Sequence, residues 1–270
     1  MHYVIGDVQG CYDELRHLLD KVCFDYSKDK ITFAGDLLNR GLKSKSVLKF
    51  IIENQNCMDT VLGNHDLHFL SIYGGVRNAG QKDTLAQLLK YKNVDIIVDW
   101  LLKKPLCVEI NKTLLVCHAG LYPLWTPQKA LAYSNTVSEV LQSKNWKTFL
   151  KNVYGNNPNR WETNDKKINQ LRFIVNAFTR MRYVNSQCHL NFSHKGPIEV
   201  DSTKTLIPWF NYQPTKNKTH TVLFGHWSAI GAAKRPMSIS LDGGCIWGGE
   251  LCAVNIKSLK ITSVKSKNAY

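Results

Sequence analysis

Lys30 to Gly41, KITFAGDLLNRG, is the segment that decides the architecture of this chain. It begins with β-branched and aromatic side chains, which favour a short strand, and then runs directly into a Gly-Asp pair. The same design, a short apolar strand followed by a small loop that carries Asp, Asn or His, recurs along the chain. Its six instances are His2 to Asp7, Lys30 to Asp36, Met58 to Asp66, Thr113 to Gly120, Thr221 to Trp227 and Ser238 to Gly244.

Amphipathic helical patterns lie between the early strands. Tyr12 to Val22 places leucines at three-and-four spacing, and a second helix is expected from Lys45 to about Glu53, capped by Ser44. Strands that alternate with helices predict an α/β architecture, in which helices cover a sheet or a pair of packed sheets. Active sites in such folds form at the carboxyl ends of strands, where the polar loops of this chain begin.

The pattern changes to helices and loops over residues 125–214. Helices are expected from Pro127 to Gln142, from Trp146 to Val153 and from Ile168 to Met181. We interpret this part as a mainly helical insertion that caps the active site and sets substrate specificity. The lysine-containing C-terminus after Ile261 is expected to be loose.

Length and composition predict one domain over residues 1–270. The longest apolar runs are strand-sized, far below the roughly 20 residues of a membrane span, and the N-terminus has no signal-peptide pattern. We therefore expect a cytoplasmic protein, with no obligate protein partner inferred. Its eight cysteines include no C-x-x-C pair, which favours reduced, mostly buried thiols. The net charge of +14 suits an anionic ligand, but scattered lysines do not favour a dedicated nucleic-acid surface.

Five strand-end side chains form a candidate metal-binding set. Brought to one sheet edge without partners, such carboxylates and imidazoles would repel or be poorly solvated, and metal ions would resolve this. Oxygen and nitrogen donors without cysteine suit Mn²⁺, Co²⁺, Fe²⁺ or Zn²⁺. One carboxylate, Asp36, is the expected bridge between two ions, and a water between them would be acidified to a nucleophilic hydroxide. The set is Asp7, Asp36, Asn64, His118 and His226.

In their order along the chain, these motifs resemble the signature of the PPP-type calcineurin-like metallophosphoesterases: G-D-x-H-G, G-D-x-x-x-R, G-N-H-D/E and two later His motifs. The resemblance spans nearly the whole chain, and it implies a β-sandwich flanked by helices. Here the motifs read Gly6 to Gly10, Gly35 to Gly41, Gly63 to Asp66, His118 to Gly120 and Gly225-His226.

Within that family, the chain is similar to the symmetrical bis(5′-nucleosyl)-tetraphosphatases. Asn39 and Asp66 stand where protein phosphatases usually have Asp and Glu, and the runs Asn176 to Arg182 and Leu241 to Gly249 look like tetraphosphatase segments. The resemblance implies cleavage of diadenosine tetraphosphate to two ADP, and capped RNA ends that carry a nucleoside tetraphosphate are a compatible substrate. A PPP-type Ser/Thr phosphatase and a basic nucleic-acid-binding protein with a degenerate metal site are the alternatives.

The resemblance also implies residue roles, with Mn²⁺ or Co²⁺ as the expected ions. Gln9 replaces a family His and is a weaker, neutral donor, so we expect the first ion to be held less firmly. The first ion is assigned to Asp7, Gln9 and Asp36, and the second to Asp36, Asn64, His118 and His226.

A catalytic trio and a substrate-binding set complete the prediction. His65 is the expected general acid, Asp66 is a candidate to orient it, and Arg40 is a candidate phosphate clamp because Arg makes two-point contacts. Arg180 and Arg182 are candidates for substrate contact or for a salt bridge. The substrate-binding set is Arg40, Asn64, His65, Arg180 and Arg182.

Two nucleobases would need aromatic platforms, although each aromatic ring taken singly is more often part of a core. Residues 125–214 offer Tyr154, Trp161, Phe173, Phe178 and Tyr183. Four histidines outside the motifs are expected to be ordinary loop or surface residues: His68, His189, His194 and His220.

Overall fold

A computed structural model of the protein describes residues 1–198 and 205–267, and short strands provide its framework. In chain order the strands are β1 (His2–Ile5), β2 (Lys30–Phe33), β3 (Met58–Thr60), β4 (Cys107–Asn111), β5 (Leu114–Cys117), β6 (Tyr183–Val184), β7 (Leu190–Asn191), β8 (Ile207–Pro208), β9 (Thr221–Phe224), β10 (Ala233–Arg235), β11 (Ser238–Ser240), β12 (Asp242–Gly243), β13 (Glu250–Asn255) and β14 (Ile261–Lys265). All six predicted strands are present.

Two mixed sheets pack against each other. One has the order β12-β13-β1-β2-β3, with β14 beside β13, and the other has the order β10-β11-β9-β5-β4. Val4 and Val254 of the first sheet form a buried cluster with Val116, Leu223 and Ile239 of the second. This apolar layer between two sheets is the predicted β-sandwich.

Parallel pairing brings the polar loops together. β1, β2 and β3 run parallel in the first sheet, and β5, β9 and β11 run parallel in the second. Within each sheet, therefore, three carboxyl ends lie at the same edge, and the loops that follow them are those that carry Asp, Asn or His. The contacts described below show that these polar side chains lie close together at this edge.

Helices cover the outer faces of the sandwich. α1 buries Leu15, Leu18 and Leu19 as its pattern predicts. Ser44 does not cap the second helix, because it is the first helical residue and its hydroxyl accepts a hydrogen bond from the Asn39 amide. The helices are α1 (Tyr12–Lys21), α2 (Ser44–Glu53), α3 (Asn64–Tyr73), α4 (Ala86–Leu89), α5 (Val94–Leu102), α6 (Pro127–Leu141), α7 (Trp146–Val153) and α8 (Lys167–Arg180).

Residues 125–214 contain more than the predicted helices. α6, α7 and α8 agree with the prediction to within one residue at either end. The helices are followed by a small antiparallel sheet in the order β7-β6-β8, which the sequence did not reveal because each strand has two residues. The expectation of a loose C-terminus is wrong for Ile261–Lys265, which pairs with β13 along its length, and the last residues, 268–270, lie outside the described part of the chain.

Buried thiols and short helices agree with the composition. The eight cysteines are all free, and all but Cys23 are buried. In residues 1–198 and 205–267, no helix has the length and apolar character needed to cross a membrane.

Candidate active site

The strand-end loops open into one pocket of about 670 Å³. Asp7 follows β1, Asp36 follows β2 and Asn64 follows β3, while His118 and His226 follow β5 and β9 of the other sheet. The two sheets therefore contribute donors to the same place. The predicted side chains that line the pocket are Asp7, Gln9, Asp36, Arg40, Asn64, His65, Arg180, Arg182 and His226.

A buried trio forms the floor of the site. Ligand atoms of Asp7, Asp36 and His118 all lie within 4.8 Å of one another. His118 Nδ1 donates to the Ala34 carbonyl oxygen at 2.8 Å, which leaves Nε2 facing Asp36 Oδ2 at 3.4 Å. Gln9 reaches the same carboxylate, with Nε2 donating to Asp36 Oδ2 at 3.3 Å. Asp36 thus lies at the centre of the donor set, as expected of a bridging ligand.

The Asn64 amide lies between the two histidines. One end of it is 3.2 Å from Nε2 of His118, 3.0 Å from Nδ1 of His226 and 3.0 Å from the Thr179 carbonyl oxygen. An amide nitrogen at this end donates to the Thr179 carbonyl oxygen, and the amide would present its oxygen here if a cation bound between the histidines. His226 Nε2 is buried and has no partner among the described residues.

The pKa values of the buried acidic and imidazole groups also indicate a site suited to cations. Burial and the neighbouring Asp242 raise the pKa of Asp7 well above its ordinary value, and burial with Asp36 raises the pKa of Asp66 to about 7. Burial alone would lower the pKa of His118, but Asp36 and Asp7 raise it to about 10. These shifts show too much negative charge for a buried site, which divalent cations would neutralise. The residues present therefore fit divalent metal ions.

Glycines and unusual backbone angles make this packing possible. A side chain at Gly63 would collide with Oδ1 of Asp36, and one at Gly225 with Oδ1 of Asp7. Asp36 and His226 have φ angles of 51° and 65°, in the left-handed region that non-glycine residues seldom adopt. Such angles concentrate at functional sites because the surrounding contacts hold them there.

Asp66 holds the loops in place from behind. It is fully buried, and its carboxylate accepts hydrogen bonds from the backbone amides of Asp36, Leu37 and Gly63 at 2.8, 3.1 and 2.8 Å. This carboxylate therefore fixes the Asp36 loop against the Gly63 loop. The hydrogen bonds expected of a residue that orients His65 are made by Asn39 instead.

Asn39 is the residue that orients His65. Its Nδ2 lies 3.1 Å from Nδ1 of His65 and donates to Oδ1 of Asp83 at 2.8 Å. Its Oδ1 accepts from the backbone amides of Arg40 and Thr84 at 2.8 and 3.0 Å, which fixes the orientation of the amide. Asn39 therefore presents an N–H group to His65, with Asp83 behind it.

The three predicted arginines lie around the pocket. Arg40 donates to the Lys82 carbonyl oxygen at 3.0 Å. Arg180 bonds to Oδ1 of Asn176 and Asn156, at 2.9 and 2.8 Å, and covers the Phe192 ring. Arg182 donates to the His226 carbonyl oxygen at 2.8 Å. These contacts are hydrogen bonds to neutral groups and not salt bridges, so all three positive charges are left to act on the pocket.

Several pocket residues were missed by the sequence analysis. His68 lies one helical turn after Asn64 on α3 and contacts Asp83 at 2.8 Å, and His194 also lines the pocket, so neither is an ordinary surface residue. The spacing from Asn64 was a signal for His68; nothing in the sequence indicated Asp83. Other pocket residues that were not predicted include Arg77, Lys195, Asp242 and Trp247.

Most of the candidate aromatic platforms belong to the core. Phe173 and Phe178 are fully buried, Tyr183 is buried, and Trp161 packs edge-on against Trp125. Tyr154 is the one member of that group in the pocket lining.

Comparison with known proteins identifies the family of this chain. A family model described as calcineurin-like phosphoesterase matches residues 3–227. A relative from Neisseria meningitidis is 40% identical over 265 residues, covering 98% of this chain and 95% of its own. One from Psychromonas ingrahamii is 39% identical over 266 residues, covering 97% and 95%. Both relatives are named symmetrical bis(5′-nucleosyl)-tetraphosphatase.

Solved structures agree on the fold. A crystal structure described as a candidate diadenosine tetraphosphatase has a TM-score of 0.65 at 23% identity, covering 99% of this chain and 94% of its own. A protein serine/threonine phosphatase of Saccharomyces cerevisiae has a TM-score of 0.54 at 14% identity, with 100% and 83% covered. At these identities the two structures support the sandwich fold alone. Together with the family model, the close relatives and the converging strand-end donors, they show that this chain belongs to the calcineurin-like phosphoesterase family.

Proposed function

We propose that this protein is a hydrolase that cleaves diadenosine tetraphosphate symmetrically, giving two ADP. The observation that carries the proposal is the convergence of buried carboxylate, amide and imidazole donors with three arginines in a single pocket. Relatives that cover nearly the whole chain are named for this activity. A tetraphosphate bridge carries several negative charges, which suit arginines and bound cations together.

Family membership implies divalent metal ions, and we propose which residues hold them. Mn²⁺ or Co²⁺ suits this mixture of oxygen and nitrogen donors. Divalent ions in such a site supply positive charge to phosphoryl oxygens and lower the pKa of water. The proposed ligands are Asp7, Gln9 and Asp36 for one ion, and Asp36, Asn64, His118 and His226 for the other.

His65 is proposed to donate a hydrogen bond to the departing phosphate. Burial lowers the pKa of His65, so its ring is neutral near pH 7 and carries a single proton. Because Asn39 presents an N–H group to Nδ1, that proton resides on Nε2. Nε2 lies 4.0 Å from Asp36 Oδ2, at the centre of the donor set. A departing diphosphate is a weak base, so a hydrogen bond from Nε2 suffices to stabilise its charge.

Substrate positioning is proposed to be shared between the sandwich and residues 125–214. Arg40 reaches the pocket from the sandwich loops, while Arg180 and Arg182 reach it from the end of α8 and the residues after it. Catalysis of phosphoryl transfer is mostly positioning and charge stabilisation, so these groups matter although none of them forms a covalent bond. Within a single domain, this segment would act as the cap over the metal site.

RNA ends capped with a nucleoside tetraphosphate are proposed as a second substrate. They present the same polyphosphate bridge, and the net charge of +14 would attract the attached RNA. Nucleotide substrates and free buried thiols both suit action in the cytoplasm.

Product identity tests the proposal. The purified protein is incubated with Mn²⁺ or Co²⁺ and diadenosine tetraphosphate, and the nucleotides are separated by ion-exchange chromatography. We expect ADP as the sole product, formed only when metal is added. ATP with AMP would contradict symmetrical cleavage, and failure to cleave the dinucleotide together with rapid phosphopeptide hydrolysis would favour the protein phosphatase alternative.

A further inference from the structure

Trp247 is an unusual residue in this pocket. All seven tryptophans lie in the described part of the chain, and Trp247 is the one whose side chain is largely exposed, at 63%. It lines the pocket together with Ser228 and Asp242. Leaving a large indole in water forgoes the stabilisation that its burial would give, so its position calls for an explanation.

The other pocket aromatics are already covered. Arg77 lies 4.1 Å from the centre of the Tyr154 ring, and Arg180 lies 4.6 Å from that of Phe192. In residues 1–198 and 205–267, no aromatic ring or cation is stacked on Trp247 in the same way. Of the pocket-lining residues Tyr154, Phe192 and Trp247, the tryptophan is therefore the one that is largely exposed and has no such partner.

A hydrogen-bonded turn holds the backbone of Trp247 in place. The amide of Trp247 donates to the Gly244 carbonyl oxygen at 2.8 Å, and the amide of Gly249 donates to the same oxygen at 3.0 Å. The amide of Gly244 donates in turn to Oδ1 of Asp242 at 3.0 Å. Asp242 is buried beside Asp7, close enough to raise its pKa. The turn thus connects the base of the site to the exposed indole.

We propose that Trp247 is the stacking platform for one nucleobase of the substrate. This inference rests on the proposed function, because it supposes a nucleotide whose phosphates reach the metal ligands. Every nucleobase offers an apolar ring face, and an indole, with only two rotatable side-chain bonds, loses little conformational entropy when it stacks on one. When the phosphates lie at the proposed metal ligands, one nucleobase of the substrate extends out of the pocket beside the turn that carries Trp247.

Binding of ADP and of pyrophosphate separates base recognition from phosphate recognition. Both affinities are measured calorimetrically with Mn²⁺ present, for the wild type, Trp247→Ala and Trp247→Phe. We expect Trp247→Ala to weaken ADP binding roughly fivefold to a hundredfold while pyrophosphate binding is unchanged. Trp247→Phe, which keeps an aromatic face, should recover most of the loss. Ile96→Ala is the matched control, since Ile96 is exposed on α5 outside the pocket.

Two results would overturn the proposal. Unchanged ADP affinity in Trp247→Ala would show that no base rests on the indole. An equal loss for ADP and pyrophosphate would show that Trp247 supports the shape of the pocket and not a base. Failure of the proposed function is seen separately, as absence of ADP formation from diadenosine tetraphosphate by the wild type.

Discussion

The two sides of the pocket hold their functional groups in different ways. On the sandwich side, Asp7, Asp36 and His118 are at least 95% buried. On the side formed by residues 125–214, His194 is half-buried and Lys195 is exposed. Burial fixes donor positions to within the tolerance of metal ligation, whereas an exposed lysine can follow a ligand. From this difference we propose that the sandwich side provides the chemistry and the other side adjusts binding.

Backbone hydrogen bonds reinforce the sandwich side. Asp7 Oδ1 accepts from the His226 amide at 3.0 Å, and Asp36 Oδ1 accepts from the His65 amide at 2.8 Å. Each carboxylate therefore ties its own loop to the loop of another strand. Substitutions of the buried donors on this side should affect turnover or metal binding, whereas substitutions of exposed pocket residues on the other side should affect substrate affinity.

Asp36→Asn is the strongest test of the chemical role of the sandwich side. Asn keeps an oxygen that accepts from the His65 amide and tolerates the φ angle of 51°, so the fold should be preserved. It removes a charged ligand from both proposed ions. Replacing a residue that only contacts a metal ligand typically lowers metal affinity or activity by about 10- to 100-fold. Asp36 is itself a proposed ligand of both ions, so we expect turnover of diadenosine tetraphosphate to fall more than about a thousandfold.

Metal analysis of Asp36→Asn shows whether its loss of turnover comes from a loss of bound metal. Bound Mn²⁺ should fall in parallel, while the circular dichroism spectrum and melting temperature stay close to those of the wild type. Near-full activity in Asp36→Asn would rule out a bridging role for this carboxylate.

Gln9→His tests the weakest proposed ligand on the sandwich side. The Gln9 amide donates a hydrogen bond to Asp36. An imidazole in its place would be a stronger ligand for borderline metals. We expect the Mn²⁺ concentration for half-maximal activity to fall by about tenfold. An unchanged requirement, measured by titrating the metal-free protein with Mn²⁺, would show that Gln9 is not a ligand.

The sequence was sufficient to predict six strands of the sandwich, because each of them is followed directly by a recognisable polar loop. A buried strand, a glycine that avoids a clash and a donor follow one another within seven residues at Lys30 to Asp36 and within six at Thr221 to His226. Local pattern and function coincide there, so the strands and the donors were found together.

The rest of the pocket depends on contacts between distant parts of the chain. Asp83 lies 44 residues from Asn39, and no local pattern connects them. Trp247 has a hydrophobic side chain that ordinarily predicts burial, and only the turn at Gly244 leaves it exposed. Tertiary structure determines these positions, and one sequence cannot show it.

Asn39→Asp tests whether the sandwich side also fixes the proton of His65. The aspartate side chain is isosteric and keeps the acceptor for the amides of Arg40 and Thr84, but it replaces the N–H group that faces Nδ1. It also sets a second carboxylate against Asp83. We expect the proton to move to Nδ1, and kcat to fall by about threefold to tenfold with KM unchanged, the cost of one hydrogen bond.

Nitrogen NMR of the histidine side chains checks this directly. The His65 signals are assigned by their loss in a His65→Gln variant, and their shifts distinguish a proton on Nδ1 from one on Nε2. The idea is wrong if Asn39→Asp leaves the proton on Nε2, or if kcat does not change.

Lys195→Gln addresses the side formed by residues 125–214, where the smallest effect is expected. Lys195 is exposed and lines the pocket, so its ammonium group attracts the polyphosphate through solvent rather than through a fixed contact. Exposed charges contribute little, so KM should rise by about twofold to fivefold while kcat stays the same. Because salt screens such charges over about 8 Å at physiological ionic strength, the difference from the wild type should shrink as salt is added. A fall in kcat that persists at high salt would mean that this side takes part in the chemical step, and the division between the two sides would not hold.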